Sequence, residues 1–295
     1  MIETILTPVA VTLRIFSNPL ANVFQKQLAS DNNHPLFINF LTYLILALVG
    51  IFLGISIQWD ELSMQFWWYS ILGGIAGAMG NGFLVKALQK GDLSVLGPVN
   101  SYKSVIGIIV GIFLLGEVPN LWGITGVVLI IWGSYFVLDT TEERFTWALI
   151  KRPEIQYRIW AMILTAIEAV FIKKIILASS AMIAFISWCW FGTLFSFLFL
   201  FFYKVKVRSE IKNAATRNAR KYGYLVLCIG TMQFTTTYTF EHMPVGYGLA
   251  LFQLSILISV LLGHHVFKEK DIRKKLLGSI IMILGSVVII LLKDL

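Results

Sequence analysis

Residues 111–134, GIFLLGEVPNLWGITGVVLIIWGS, and residues 263–286, GHHVFKEKDIRKKLLGSIIMILGS, are two versions of one pattern. A shift of 152 positions carries Gly111 onto Gly263, Glu117 onto Glu269, Gly126 onto Gly278, and Gly133-Ser134 onto Gly285-Ser286. Each stretch reads as two apolar spans joined by a short turn that holds the Glu. The match runs without a gap from 73–138 to 225–290. Its shared positions are small or acidic ones in an apolar background, where chance would match Leu or Ile. A repeat inside a membrane chain is the mark of a transporter, whose site lies between the halves.

The membrane assignment follows from composition. Hydrophobic residues make up 57 % of the 295 and charged residues 14 %, where a soluble domain carries about a quarter charged. Windows such as 37–57 and 179–202 hold no charge, over the roughly 20 residues that cross the hydrocarbon. The runs do not alternate as barrel strands would, so the spans are helical. Ten are expected: 4–28, 36–57, 67–88, 93–115, 120–138, 157–178, 181–203, 222–241, 245–267 and 273–293. The first carries Arg14, Asn18 and Pro19 and has no basic leader, so it reads as a true first helix with a kink at Pro19. Five spans per half make the repeat inverted, about a pseudo-twofold axis in the membrane plane. Residues 1–138 form the first repeat, 139–156 a connecting loop, and 157–295 the second.

The formal charge of +8 is a topology signal. The loop 204–221, the turn 268–275 and the link 139–156 hold most of the loop Lys and Arg, whereas 58–66 and 116–119 hold none. The positive-inside rule puts the basic loops in the cytoplasm and both termini outside. No nucleic-acid motif accompanies the charge. Cys189 and Cys228 lie within spans and read as packing residues.

The run Ala87-Leu88-Gln89-Lys90-Gly91-Asp92, then Ser94, Pro98, Gly111 and Leu114-Leu115-Gly116-Glu117, resembles the EamA-like members of the drug/metabolite transporter superfamily. The second half repeats it as His242-Met243-Pro244-Val245-Gly246, Gly263 and Phe267-Lys268-Glu269. Val23-Phe24-Gln25-Lys26 likewise resembles Val170-Phe171-Ile172-Lys173. The resemblance implies ten helices in which the third, fourth, eighth and ninth surround a central cavity, with transport by alternating access. It implies no particular substrate. Members are often drawn with both termini in the cytoplasm, the reverse of what the Lys/Arg count gives here.

A charge at mid-membrane depth is costly and marks a functional candidate. Arg14 and Glu168 lie mid-span and are expected to pair across the halves. Lys103 has no partner in its own helix, so it is expected to line the cavity and attract an anion. Lys26, Lys86, Lys173 and Lys174 read as snorkelling to the headgroups. Polar residues fall at symmetry-related positions: Asn81 with Gln233, Ser101 with Gln253, Lys103 with Ser255. The expected substrate-binding set is Lys103, Tyr102, Asn81, Ser101, Gln233, Tyr238, Tyr247 and Gln253. Thr235, Thr236 and Thr237 read as bonding their own helix, and Glu117 and Glu269 as closing mirror-related turns.

No His-Glu-x-x-His, Gly-x-Ser-x-Gly, P-loop or acidic metal cluster is present, so an enzyme is not expected. The expectation is a secondary-active or facilitative transporter of a small organic metabolite, an anion or zwitterion by preference. It would be a monomer or homodimer in a bacterial inner membrane, with a coupling proton or counter-solute and lipid as its other partners. A proton-coupled exporter of amino acids or cationic drug-like compounds is the alternative, and a non-transporting membrane partner or membrane-embedded enzyme the reading from another class.

Overall fold

The computed structural model describes residues 2–93, 95–96, 100, 102–103, 106, 109–110, 113, 120–138, 150–243 and 245–291, with some side chains among them left aside. All regular structure among the described residues is helical. The first half holds α1 (Ile2–Ser30), α2 (Pro35–Leu53), α3 (Met64–Lys90) and α4 (Leu121–Leu138). The second holds α5 (Pro153–Leu177), α6 (Ala181–Phe202), α7 (Val207–Thr216), α8 (Ala219–His242), α9 (Val245–Phe252), α10 (Ser255–Phe267) and α11 (Ile272–Leu291).

Local chemistry sets these boundaries. His34 caps α2 by accepting the N–H of Leu36, with Pro35 at the first helical position. Ser63 and Ser180 cap α3 and α6 through Phe66 N–H and Ile183 N–H. Gly91 follows the end of α3. The α10–α11 turn closes through Lys268 and Asp271 at φ 58° and 59°. Helix α1 continues through Pro19.

Eight of the ten expected spans coincide with described helices, the fourth, 93–115, lies largely outside the described residues, and the ninth differs by being broken. Its two pieces, α9 and α10, meet at a turn over Gln253 and Leu254, closed by Ile256 N–H on Gln253 O at 2.9 Å. In the fourth span Asn100 is also a turn, and Lys103 N–H donates to its carbonyl at 2.9 Å. Shifting Asn100 by 152 reaches Phe252 at the edge of the α9–α10 break. Broken helices at cavity depth are how transporters expose main-chain groups to a ligand. The loop 204–221 also contains a helix, α7. Its Glu210 accepts the N–H of His34, and Lys221 pairs with Asp31, so the basic loop is tied to the α1–α2 turn.

The two halves pack reciprocally. Helix α1 lies along α8, and α3 along α5. Helices α2 and α6 pair, as do α4 and α11. A Cβ added to Gly133 would lie 2.7 Å from Gly278 O, and one added to Gly285 2.6 Å from Gly126 O. Residue i meets j and j meets i, the signature of a twofold contact, and the bare glycine backbone lets α4 and α11 approach this closely. The exterior is apolar, with Phe52, Phe113 and Phe201 at 76 %, 82 % and 75 % exposure, while Arg158 and Glu168 are buried. By length and hydropathy α2, α3 and α6 suffice to cross a membrane. Helices α5 and α8 carry more charge, and the ninth span is divided.

Candidate functional site

A cavity of about 70 Å³ lies where α1, α3, α5, α8, α9 and the Asn100 turn converge. That is room for a few water molecules, well below the roughly 300 Å³ of a small-molecule pocket. The site is therefore too narrow for such a ligand in this conformation. Its wall is strongly polar: Arg14, Lys103, Arg158 and Glu168 are joined by Asn18, Asn22, Asn81, Asn100 and Gln233.

Glu168, on α5, accepts the indole N–H of Trp188 at 2.6 Å. The Trp188 ring lies 4.5 Å from that of Tyr43, and the Tyr43 hydroxyl accepts Asn81 Nδ2 at 2.9 Å. Asn81 also donates to Gly77 O at 3.0 Å. Gly77 makes room for the carboxylate, since a Cβ there would collide with Glu168 Oε1 and lie 2.8 Å from its Cδ. One α3 segment thus seats both the amide and the acid.

The cations are held differently. Arg14 Nε donates to Thr236 Oγ1 at 2.7 Å, and its guanidinium lies 4.7 Å from the centroid of Phe252. Its Nη1 is buried without a hydrogen-bond partner, as is Gln233 Nε2. Arg158 Nε donates to Leu96 O at 2.9 Å. Lys103 forms no side-chain hydrogen bond among the described residues, but its charge acts on Glu168 across the cavity. Three formal positive charges face one negative charge, and two buried donors await an acceptor.

This arrangement corrects the expected Arg14–Glu168 ion pair, since no such contact forms within 4.0 Å. The packing of the two repeats sets each half's first helix against the other half's third helix, so α1 meets α8 and α5 meets α3. Arg14 still bridges the halves, through Thr236. Lys103, Asn81 and Gln233 line the cavity. Tyr102, Tyr238 and Gln253 do not. Tyr238 stacks on His242, 4.2 Å between centroids. Five residues beyond Gln233, it is rotated about 140° around the helix, whereas Thr236, three residues on, stays on the cavity side. Gln253 is buried in the helix break. Ser101, Glu117 and the Tyr247 side chain lie outside the described residues. Thr235, Thr236, Thr237 and Thr239 all donate to carbonyls of their own helix. Lys26 does not snorkel but pairs with Glu269 at 3.1 Å.

Sequence reasoning missed Arg158, because with the sixth span started at 157 it stood at the very end of the span rather than at mid-membrane depth. The available signal was Pro153, which starts α5 earlier and places Arg158 a turn and a half inside. Among the described residues no group of three metal-ligating side chains converges.

Comparison with known proteins agrees with this architecture. None of the curated sequences compared with the chain matches it. One solved structure, described only as "Crystal structure of protein", superposes with a TM-score of 0.71 at 15 % identity, covering 98 % of this chain and 97 % of that one, and shows a shared fold. The profile of the EamA-like transporter family matches residues 14–139 and 153–291, one match per half. The family is an integral-membrane one that moves small molecules, and this chain belongs to the EamA-like transporter family.

Proposed function

We propose that the protein carries a small organic anion or zwitterion across the membrane by alternating access, with the central cavity as its binding site. The observation that carries the reading is the charge balance of the cavity: Arg14, Lys103 and Arg158 against Glu168 alone. Unpaired cations in a partly dry site favour a carboxylate, phosphate or similar group. The partnerless Arg14 Nη1 and Gln233 Nε2 are donors, so they too call for an acceptor-rich ligand. Asn18, Asn22 and Asn100 supply orientation. The reciprocal contact of the halves supports alternating access, because a twofold-related pair of bundles can rock around one fixed site.

A second reading is favoured by Glu168. It is the one carboxylate among the cavity-lining residues, held by Trp188 and acted on by Lys103. In that role it takes up and releases a coupling proton while the cations hold the substrate.

Proteoliposomes test both. Uptake is measured for labelled organic acids, amino acids, sugar phosphates and organic cations, with and without a pH gradient. Accumulation of an anion or zwitterion, lost in Lys103→Met, supports the proposal. Transport confined to organic cations refutes it.

A further inference from the structure

We propose that Lys26 and Glu269, with the apolar cluster around them, form the gate that closes the central cavity on the face carrying the basic loops. The proposal rests on the transport reading and adds the residues that open and shut one side.

A second cavity of about 450 Å³ opens on that face and includes Gly91, Val95, Leu96, Glu154, Glu269 and Lys275 in its wall. It shares no lining residue with the central cavity. Leu96 belongs to the outer cavity and Arg158 to the inner one, and Arg158 Nε donates to Leu96 O. The partition is therefore thin. It is built by both halves, as Val23, Leu88, Leu93 and Leu96 of the first meet Ile155 and Phe267 of the second.

One ion pair fastens this partition. Lys26 Nζ lies 3.1 Å from Glu269 Oε1 and donates to Gly91 O at 2.9 Å. It also sits 4.5 Å from the centroid of Phe267. The same Glu269 oxygen accepts Leu93 N–H at 2.8 Å. The side chains are 12 % and 4 % exposed. The end of α3, helix α1 and the α10–α11 turn are thus joined at one carboxylate.

A buried ion pair suits a gate. Its attraction is largely offset by desolvation, so separating both ions into water costs little. An apolar pair would lose that option and stay dry. The repeat supplies the same residue types a second time, as Lys173 and Glu117. Lys173 donates to Phe240 O, near the end of the helix that mirrors α3.

The test is accessibility, which needs no substrate. Thr165, on the central cavity wall, is replaced by Cys in a Cys189→Ala, Cys228→Ser background. An impermeant maleimide is applied to inside-out and right-side-out vesicles. Lys26→Met and Glu269→Gln should each speed labelling from the basic-loop face about tenfold, the effect of about 1.4 kcal/mol. The double variant Lys26→Met, Glu269→Leu should label more slowly than the parent. Single variants that melt earlier yet label at the parental rate overturn the gate and leave a structural ion pair. If the singles do not fold, the double variant decides, and labelling at or above the parental rate overturns the proposal. Labelling from neither face in any variant would instead remove the transport reading itself.

Discussion

Gly77 offers the most direct test of how the site is built. Its Cα lies under the Glu168 carboxylate, and a Cβ would collide with Oε1, the atom that accepts Trp188 N–H. In isolation Gly→Ala within a helix gains up to about 1 kcal/mol from propensity. Here the methyl must push the carboxylate off the indole. That forfeits a charge-assisted hydrogen bond, about 1.5–3 kcal/mol, and adds overpacking strain of about 1–3 kcal/mol. The losses exceed the gain, so Gly77→Ala should destabilise by about 2–4 kcal/mol. Gly223→Ala is the control, because a Cβ there meets nothing within 4 Å, and it should be neutral or stabilising. The assay is SDS unfolding in mixed micelles, read as a double-mutant cycle with Glu168→Ala. Removing the carboxyl group vacates the space, so the Gly77→Ala penalty should shrink by at least about 1 kcal/mol in that background. If Gly77→Ala matches the parent, or if the two effects simply add, the carboxylate does not sit on Gly77 and the site geometry is wrong.

Lys103→Met keeps the stem and removes the charge. It should weaken anion binding at least about tenfold while the protein stays folded, since Glu168 keeps its bond from Trp188. Unchanged affinity, with transport lost instead in Glu168→Gln, would make the site acidic and a cation the substrate. Both termini should face away from the cytoplasm because the basic loops share the other side. A cysteine at position 212 that reacts with an impermeant reagent in intact cells contradicts this. Burial draws the His34 imidazole below its ordinary 6.5, with Lys86 reinforcing the shift and Glu210 opposing it. The folded state prefers the neutral ring, so this contribution is complete above pH 6.5 and fades as pH falls below it. His34→Asn retains a capping side chain and should flatten the acid side of the melting-temperature profile. An unaltered profile would show that the ring does not titrate with folding.

Much of this protein is legible in its residues. Charge-free runs such as 37–57 demand helices in a membrane, and the glycines at a 152-residue spacing require two similar halves. Asn81 and Gln233, matched by that spacing, reach the same cavity. These readings succeed because hydropathy and local repetition are properties of the chain itself. Tertiary packing alone decided which charges meet. The chain suggested Arg14 with Glu168. The crossing of first helix on third helix instead delivered Arg14 to Thr236, while the neighbouring α6 gave Glu168 the Trp188 indole and the α10–α11 turn brought Glu269 to Lys26. It also brought Arg158 inward and turned Tyr238 away. A mid-membrane charge announces from sequence that it needs a partner, because hydrocarbon provides none. Which partner it finds depends on how helices distant in sequence pack against one another.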